Sequence, residues 1–451
     1  MHIMPHRLPL NFHIDGAQVL NNMEVEVVSW GSALVSSGVS WDTKLLMLLV
    51  PTECWVKTVT NVEVVGYLDY EVGIILEGVH PRVGYYLERF AAGSVFSKKQ
   101  DQLIANGWKG AFGGNKFDMK AKVDMNNMRK PFMRNYCSNF VCELDCSCKH
   151  LAYLSYAHVK KNAVWKTTRI STADYIRTTR DRGKPYSPYV HIKGWALTRN
   201  FNDWLHSGQL GTGGDLAASS IRDMLVAGDL GQGNAEDCMH NLWLQLEVWK
   251  GRVGKGLCPC TMPMFDLCTI GLGKSLNHMP ELGTKIKAYG CKVLCLFLAH
   301  KAIQLAEAHG GARRQLVATC LWCWAEVQRV WDKAGDHLTA EEAEAQLAAG
   351  QSFLEIYTNL AQADFDNGIR GWKLRPKFHS LQHTFEYAYL TRENPVKHMC
   401  FIDEDFMGKV KKIAKNTHRR TLPRRSIQRY VVKLGCMFHK KRKVEQEIRQ
   451  T

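Results

Sequence analysis

A chain of 451 residues with 59 Lys and Arg against 43 Asp and Glu carries a formal net charge of +16, and its 45% hydrophobic and 23% charged content is that of a globular protein with a sizeable core. No apolar run reaches membrane-spanning length and the opening MHIMPHRLPLNFH lacks a secretory core. The sequence therefore predicts an intracellular protein with no membrane partner, whose 15 cysteines are thiols or metal ligands.

The first element is a strand. Leu8, Leu10, Phe12 and Ile14 alternate with Asn11, His13 and Asp15, and the strand is expected to close at Asp15-Gly16. A second strand is predicted in MEVEVVSWGSAL (23–34). A third is predicted in TKLLMLLVP (43–51), whose unbroken apolar run suits a central strand covered on both faces. Residues 52–92 read as mixed helix and strand, and 93–130 lose apolar periodicity among Gly and Lys. Residues 136–150, YCSNFVCELDCSCKH, gather Cys137, Cys142, Cys146, Cys148 and His150, a set suited to tetrahedral zinc or else to reduced structural thiols.

HIKGWALTRNFNDWLH (191–206) reads as a strand closed by Asp203, followed by a Gly-rich turn, GTGGD, and a helix from about Leu216. That turn lacks the Lys-Ser/Thr of a phosphate loop and the spacing of a dinucleotide binder. Residues 217–390 are predicted mainly helical, with Thr339 and Glu342 as a capping box. Cys320 and Cys323 fit core packing. His379 and His383 share a helix face with no acid or third ligand nearby in the sequence, and are expected to face or pack in a cleft. A helix opens near Asp403, and from Phe406 to Val444 there are fourteen Lys and Arg with no Asp or Glu. Outside that stretch the chain is nearly neutral. Such a block suits a polyanion, most often nucleic acid, although a solvated tail has the same composition.

Acidic residues thus stand at two predicted strand ends, Asp15 and Asp203, and in the first turn of a late helix, Asp403, Glu404 and Asp405. Carboxylates so distributed suit two-metal phosphoryl transfer, but each also has an ordinary role: a turn for Asp15, a helix cap for Asp203, a first-turn charge for Glu404.

The flanking residues resemble the DDE/D cut-and-paste transposases, in particular a transposase-like family abundant in dinoflagellates and related to the Kyakuja-Dileera-Zisupton, CACTA and hAT groups. The matching stretches are FHIDGAQVLNNMEVEVVSWGSAL, KFDMKAKVDMNNMRKPFMRNYCSNFVCE, FNDWLHSGQLGTGGDLAASSI, WKLRPKFHSLQHTFEYAYLTRENP and FIDEDFMGKVKKIAKNTHRRTLPRRSIQRY. The resemblance implies an α/β fold, a ribonuclease-H-like mixed sheet core interrupted by a Cys-rich insertion and a large all-helical insertion. The implied segments are 1–92 for the first core strands, 93–190 for the Cys/His insertion, 191–216 for the strand with the second Asp, 217–390 for the helical insertion, 391–435 for the catalytic helix and basic segment, and 436–451 for a basic tail.

It further implies that Asp15, Asp203 and Glu404 hold Mg²⁺ or Mn²⁺, with Asp403 or Asp405 as register alternatives to Glu404. Asp15 and Asp203 are then expected on adjacent strands, with His206 beside the metals. Zn²⁺ is expected at the Cys cluster, and Lys409, Lys411, Lys412, Lys415, Arg419, Arg420, Arg424 and Arg425 on DNA phosphates. HKKRKVE (439–445) reads as a nuclear import signal, and a homo-oligomer on DNA ends fits the class. The chain departs from the family pattern at Gly214, Asn202 and Leu205, and no DNA-binding module is expected ahead of the first strand. Those departures keep two alternatives open, a catalytically inactive DNA-binding relic and a ribonuclease-H-like nuclease.

Overall fold

The amino-terminal alternation folds into β1, Arg7–Leu20, which pairs antiparallel with β2, Met23–Ser32; β2 pairs in turn with β3, Leu45–Pro51. The computed structural model describes residues 7–20, 23–32, 34, 39–118, 121–123, 140–181, 187–253 and 260–450. A mixed α/β protein results, divided into two compact units. The sheet unit comprises Met1–Arg129, Ile170–Phe201 and Cys400–Thr451; the helical unit comprises Lys130–Arg169 and Asn202–Met399. The Cys-bearing residues from 140 onward therefore belong with the helices.

In the sheet unit, helix α1, Lys57–Glu77, ends at Gly78, whose φ of 72° is the left-handed value that closes a helix without a Cβ penalty. Two further strands follow, β4, Lys109–Phe117, and β5, Asn200–Asn202, and the sheet order is β3-β2-β1-β4-β5. β4 runs parallel to β1, with His13 opposite Lys116. This strand lies in the Gly- and Lys-rich stretch where no element was expected. Its glycines serve close approach at a β-bulge between Leu10 and Asn11. A Cβ on Gly113 would sit 2.6 Å from Asn11 Oδ1, and Gly114, at φ 149°, would put one 2.3 Å from the Phe201 ring.

Two other expectations change. β1 does not close at Asp15-Gly16 but runs on to Leu20, with Asp15 paired to Val27, so the Asp-Gly pair is mid-strand and not a turn. The strand covered on both faces is β1, where Leu10 to Ile14 are all buried, whereas apolar β3 is an edge. Two carboxy-terminal helices cover one face of this sheet, α9, Phe401–Lys415, and α10, Leu422–Gln450. Phe406, Met407, Val410 and Ala414 of α9 and Leu422 and Tyr430 of α10 pack with Val19, Val25 and Val27. Each large apolar side chain so buried contributes about 1.5–3 kcal/mol. Helix α2, Thr172–Asp181, belongs to the same unit.

The helical unit holds α3, Gly214–Val226; α4, Ala235–Val253; α5, Ala288–His309; α6, Ala312–Lys333; α7, Ala340–Asp366; and α8, Lys377–Thr391. Its core includes Cys320 and Cys323 as expected, with Trp204 stacked on Trp324 at 4.9 Å. The capping box at Thr339 and Glu342 is formed. The segment read as a Gly-rich turn is instead a π-helical stretch, Leu205–Gly213, that leads directly into α3. Its glycines admit neighbours, not a turn: a Cβ on Gly208 would lie 2.5 Å from the Trp204 ring, and one on Gly211 2.7 Å from Lys377. No helix among the described residues is long and apolar enough to cross a membrane.

Candidate functional site

The odd-numbered face of β1, which carries Ala17 and Val19 against α9, also carries Asn11, His13 and Asp15. Its neighbour β4 has Lys116 opposite His13, and two residues further along each chain lie Asp15 and Asp118. Asp118 opens a helical turn, accepting from Ala121 N at 2.6 Å. Burial and the negative neighbours Asp118, Glu26 and Glu404 push the Asp15 carboxyl up to about 6, while the Gly16 N–H at 2.8 Å opposes the shift. Asp118, just past β4, and Glu404 of α9 are thus near enough to Asp15 of β1 to act on its charge.

The acidic turn of α9 sorts its own register. Asp403 is fully buried and ion-paired to Lys44 (2.5 Å) and Lys116 (2.7 Å). Burial alone would raise its carboxyl; Lys116, His13 and Lys44 instead hold it well below the usual range. Asp405 accepts from Ser40 Oγ at 2.7 Å and pairs with Lys409. Glu404, exposed on the helix, is the member that acts on Asp15. Asp403 thus clamps α9 to the sheet through two lysines and carries Glu404 beside the strand acids.

Asp203, expected on a strand adjacent to β1, follows β5, and the strand order sets β4 between β1 and β5. The acid next to the strand that does neighbour β1 is Asp118, one residue past the end of β4 in the KFDMKAK stretch. Asp203 is buried, accepts from Leu205 N (3.0 Å) and His206 N (3.2 Å), and contacts His206 Nδ1. It caps the π-helical stretch, whose His206 carbonyl accepts from Lys377 Nζ at 3.0 Å.

A second cluster lies wholly in the helical unit. Cys142, Asp145, His379 and His383 each offer a ligand atom, all within 4.8 Å of one another. Burial would push the Cys142 thiol up, but His383 and His379 beside it bring it down to about 6. Burial likewise opposes charge on His383, yet Cys142 and Asp145 push it up to about 10. Asp145 is held well below its usual range by the same imidazoles, against its burial. Of the described residues in the expected set, Cys142 belongs to this cluster and Cys146, Cys148 and His150 do not. Cys146 packs against a small apolar group that includes Cys148 and Trp165, His150 is exposed at the surface, and Cys137 lies outside the described residues. His379 and His383, expected to have no acid or third ligand, have both.

Among the cations expected on phosphate, Lys409 pairs with Asp405 and Arg419 with Glu53, and Lys411 is half-buried. Lys412, Lys415, Arg420, Arg424 and Arg425 are exposed along α9, the following turn and the start of α10. A scan against family models gives no match to this chain, and a search of curated proteins gives none either.

Proposed function

We propose that the protein is a DDE/D-type polynucleotidyl transferase whose sheet unit is a ribonuclease-H-like core, with Asp15, Asp118 and Glu404 as its metal-holding carboxylates. One observation carries the reading: Asp15 on β1, Asp118 just past the end of its parallel neighbour β4, and the helix-borne Glu404 lie near enough for both of the latter to act on the Asp15 carboxyl. The mixed sheet, in which a β1-β2-β3 meander is extended by later strands on the far side of β1, is in keeping with that core.

The donors fit Mg²⁺ or Mn²⁺, since all are carboxylate oxygens; burial first, and then the neighbouring negative charges, raise Asp15, and a divalent cation offsets both costs. When bound, such cations supply an activated water and stabilise the departing oxygen in phosphodiester cleavage and transfer. The chain supplies position and field. Asp403 fixes α9 through Lys44 and Lys116, Glu404 is carried to the strand acids, and the exposed Lys412, Lys415, Arg420, Arg424 and Arg425 offer a surface for phosphates. Asp203 and His206 take the part of a helix cap. The exposed Lys440 to Lys443 run suits nuclear import.

The test is nicking of supercoiled plasmid and cleavage of labelled duplex by the full chain in Mg²⁺ and Mn²⁺. The reading expects metal-dependent cleavage that Asp15→Asn and Asp118→Asn abolish while DNA binding persists. Binding without cleavage on any substrate would leave the inactive relic instead, and absence of DNA binding would remove both.

A further inference from the structure

The Cys142 cluster has a geometry that protons alone do not satisfy. His379 Nε2 and His383 Nε2 lie 3.0 Å apart, and both face the same Asp145 oxygen, at 3.1 and 2.9 Å. Protons on both nitrogens satisfy the carboxylate but set two N–H groups against each other. A proton shared between the rings turns one lone pair on the carboxylate. Ser147 Oγ, 2.9 Å from His379 Nε2, adds another oxygen to the same crowd. A cation at the centre removes the conflict, because both imidazole nitrogens and the Asp145 oxygen then offer it a lone pair, leaving Ser147 Oγ outside the ligand set.

A nucleophilic Cys–His–Asp arrangement does not fit. It needs the thiol and the carboxylate on opposite nitrogens of one imidazole. Here Cys142 Sγ, at 3.4 Å, and Asp145 both face Nε2 of His383.

We infer that Cys142, Asp145, His379 and His383 form a closed tetrahedral zinc site that ties the 140–148 loop to α8 within the helical unit. Ligand-to-ligand spacing in tetrahedral zinc is about 3.3–3.7 Å for bonds of about 2.0–2.3 Å. Four of the six ligand pairs, at 2.9–3.4 Å, need little expansion to match it, and the two pairs of Cys142 with Asp145 and His379 lie within 4.8 Å. One sulfur, two imidazole nitrogens and one oxygen form a donor set for zinc, not for Mg²⁺ or Ca²⁺.

The elements deliver these atoms for plain reasons. His379 and His383 stand one turn apart on α8 and so share a face. Cys142 and Asp145 sit in a loop that is itself braced: Leu144 N donates to Cys142 Sγ at 3.3 Å and Ser147 N to Asp145 Oδ1 at 2.8 Å. Such outer contacts orient ligands. Trp165 stands edge-on to both imidazoles, with ring centroids 4.4 and 5.6 Å away, and shields the site from water. Four protein donors, three buried and Cys142 partly so, fill a tetrahedral shell, so the metal is structural. This inference does not depend on the catalytic reading.

The experiment measures metal content of the full chain expressed with added zinc and dialysed, together with the absorption of its Co²⁺-substituted form. The expected result is about one zinc per chain. Cys142→Ser should abolish the thiolate-to-cobalt band, His383→Gln should abolish stoichiometric zinc, and Cys146→Ser with Cys148→Ser should leave both unchanged. Where a variant fails to fold, wild-type protein stripped by chelator and refilled with Co²⁺ gives the same answer: a tetrahedral spectrum with a thiolate band supports the site, and an octahedral one overturns it. Wild type without stoichiometric zinc, or zinc that survives Cys142→Ser and is lost with Cys146 and Cys148, overturns it as well.

Discussion

The two polar clusters of this protein differ in nearly every respect that decides what a metal site does. In the sheet unit the donors are all carboxylates, from β1, the residue after β4, and α9, and the same unit carries exposed lysines and arginines on α9, the following turn and α10. In the helical unit the donors are a thiol, a carboxylate and two imidazoles, closed in beneath Trp165. Hard oxygen donors in a unit with exposed cations suit a labile Mg²⁺ that works on phosphate, whereas a largely buried set of sulfur, nitrogen and oxygen donors suits a fixed Zn²⁺ that holds structure. The lesson is that acidic and Cys/His residues in one chain should be sorted by donor type and exposure before either is called catalytic.

The sharpest way to break this contrast is to remove one carboxylate from the sheet unit. Asp15→Asn or Asp118→Asn should lower Mg²⁺-dependent DNA cleavage by about 10³-fold or more, measured as initial nicking rate, with zinc content unchanged. A comparable loss of energy is expected where Asp403 is replaced by Ala. Lys44 and Lys116 would be left buried without their counter-ion, at a cost of about 3–5 kcal/mol read from urea unfolding. Because Asp403 is held below the usual carboxylate range, its stabilisation is complete at neutral pH. It should fade as pH falls below about 4, the ordinary carboxylate value.

Within the helical unit, Gly208→Ala forces a methyl to 2.5 Å from Trp204 and should cost about 1–3 kcal/mol in thermal unfolding. Asp15 carries the opposite pH sign to Asp403. Its folded carboxyl takes a proton at about 6, above the unfolded value, so cation and proton compete there. Mn²⁺ affinity should therefore fall roughly tenfold per pH unit below that point, by titration at several pH values. The smallest effect belongs to the basic surface: each of Lys412, Lys415, Arg420, Arg424 and Arg425 changed to Ala should lower the slope of log affinity against log salt by about 0.9.

The sequence exposed some of this and hid the rest, for identifiable reasons. Alternation revealed β1 and β2, and 3.6-residue periodicity revealed the helices of 217–390, because one buried face leaves a local signature. β4 left none. Its Gly113 and Gly114 are set by how closely Asn11 and Phe201 approach, which is tertiary information, and Asp118 stayed unnoticed with its strand. The glycines of Leu205–Gly213 misled similarly, since glycine marks close packing as well as turns. The zinc-suited cluster joins residues more than 230 positions apart, so counting Cys within 136–150 selected neighbours in sequence and missed His379 and His383. Glu404 was distinguishable from Asp403 only once Lys44 and Lys116 were seen to engage the latter.

The most direct measurement is an electron paramagnetic resonance titration of Mn²⁺ into the zinc-loaded full chain, comparing wild type with Asp118→Asn and Asp203→Asn. The cluster of Asp15, Asp118 and Glu404 predicts specific Mn²⁺ binding in wild type, a loss of at least about tenfold in affinity for Asp118→Asn, and near wild-type binding for Asp203→Asn. Unaltered binding in Asp118→Asn, or a loss confined to Asp203→Asn, would contradict the account.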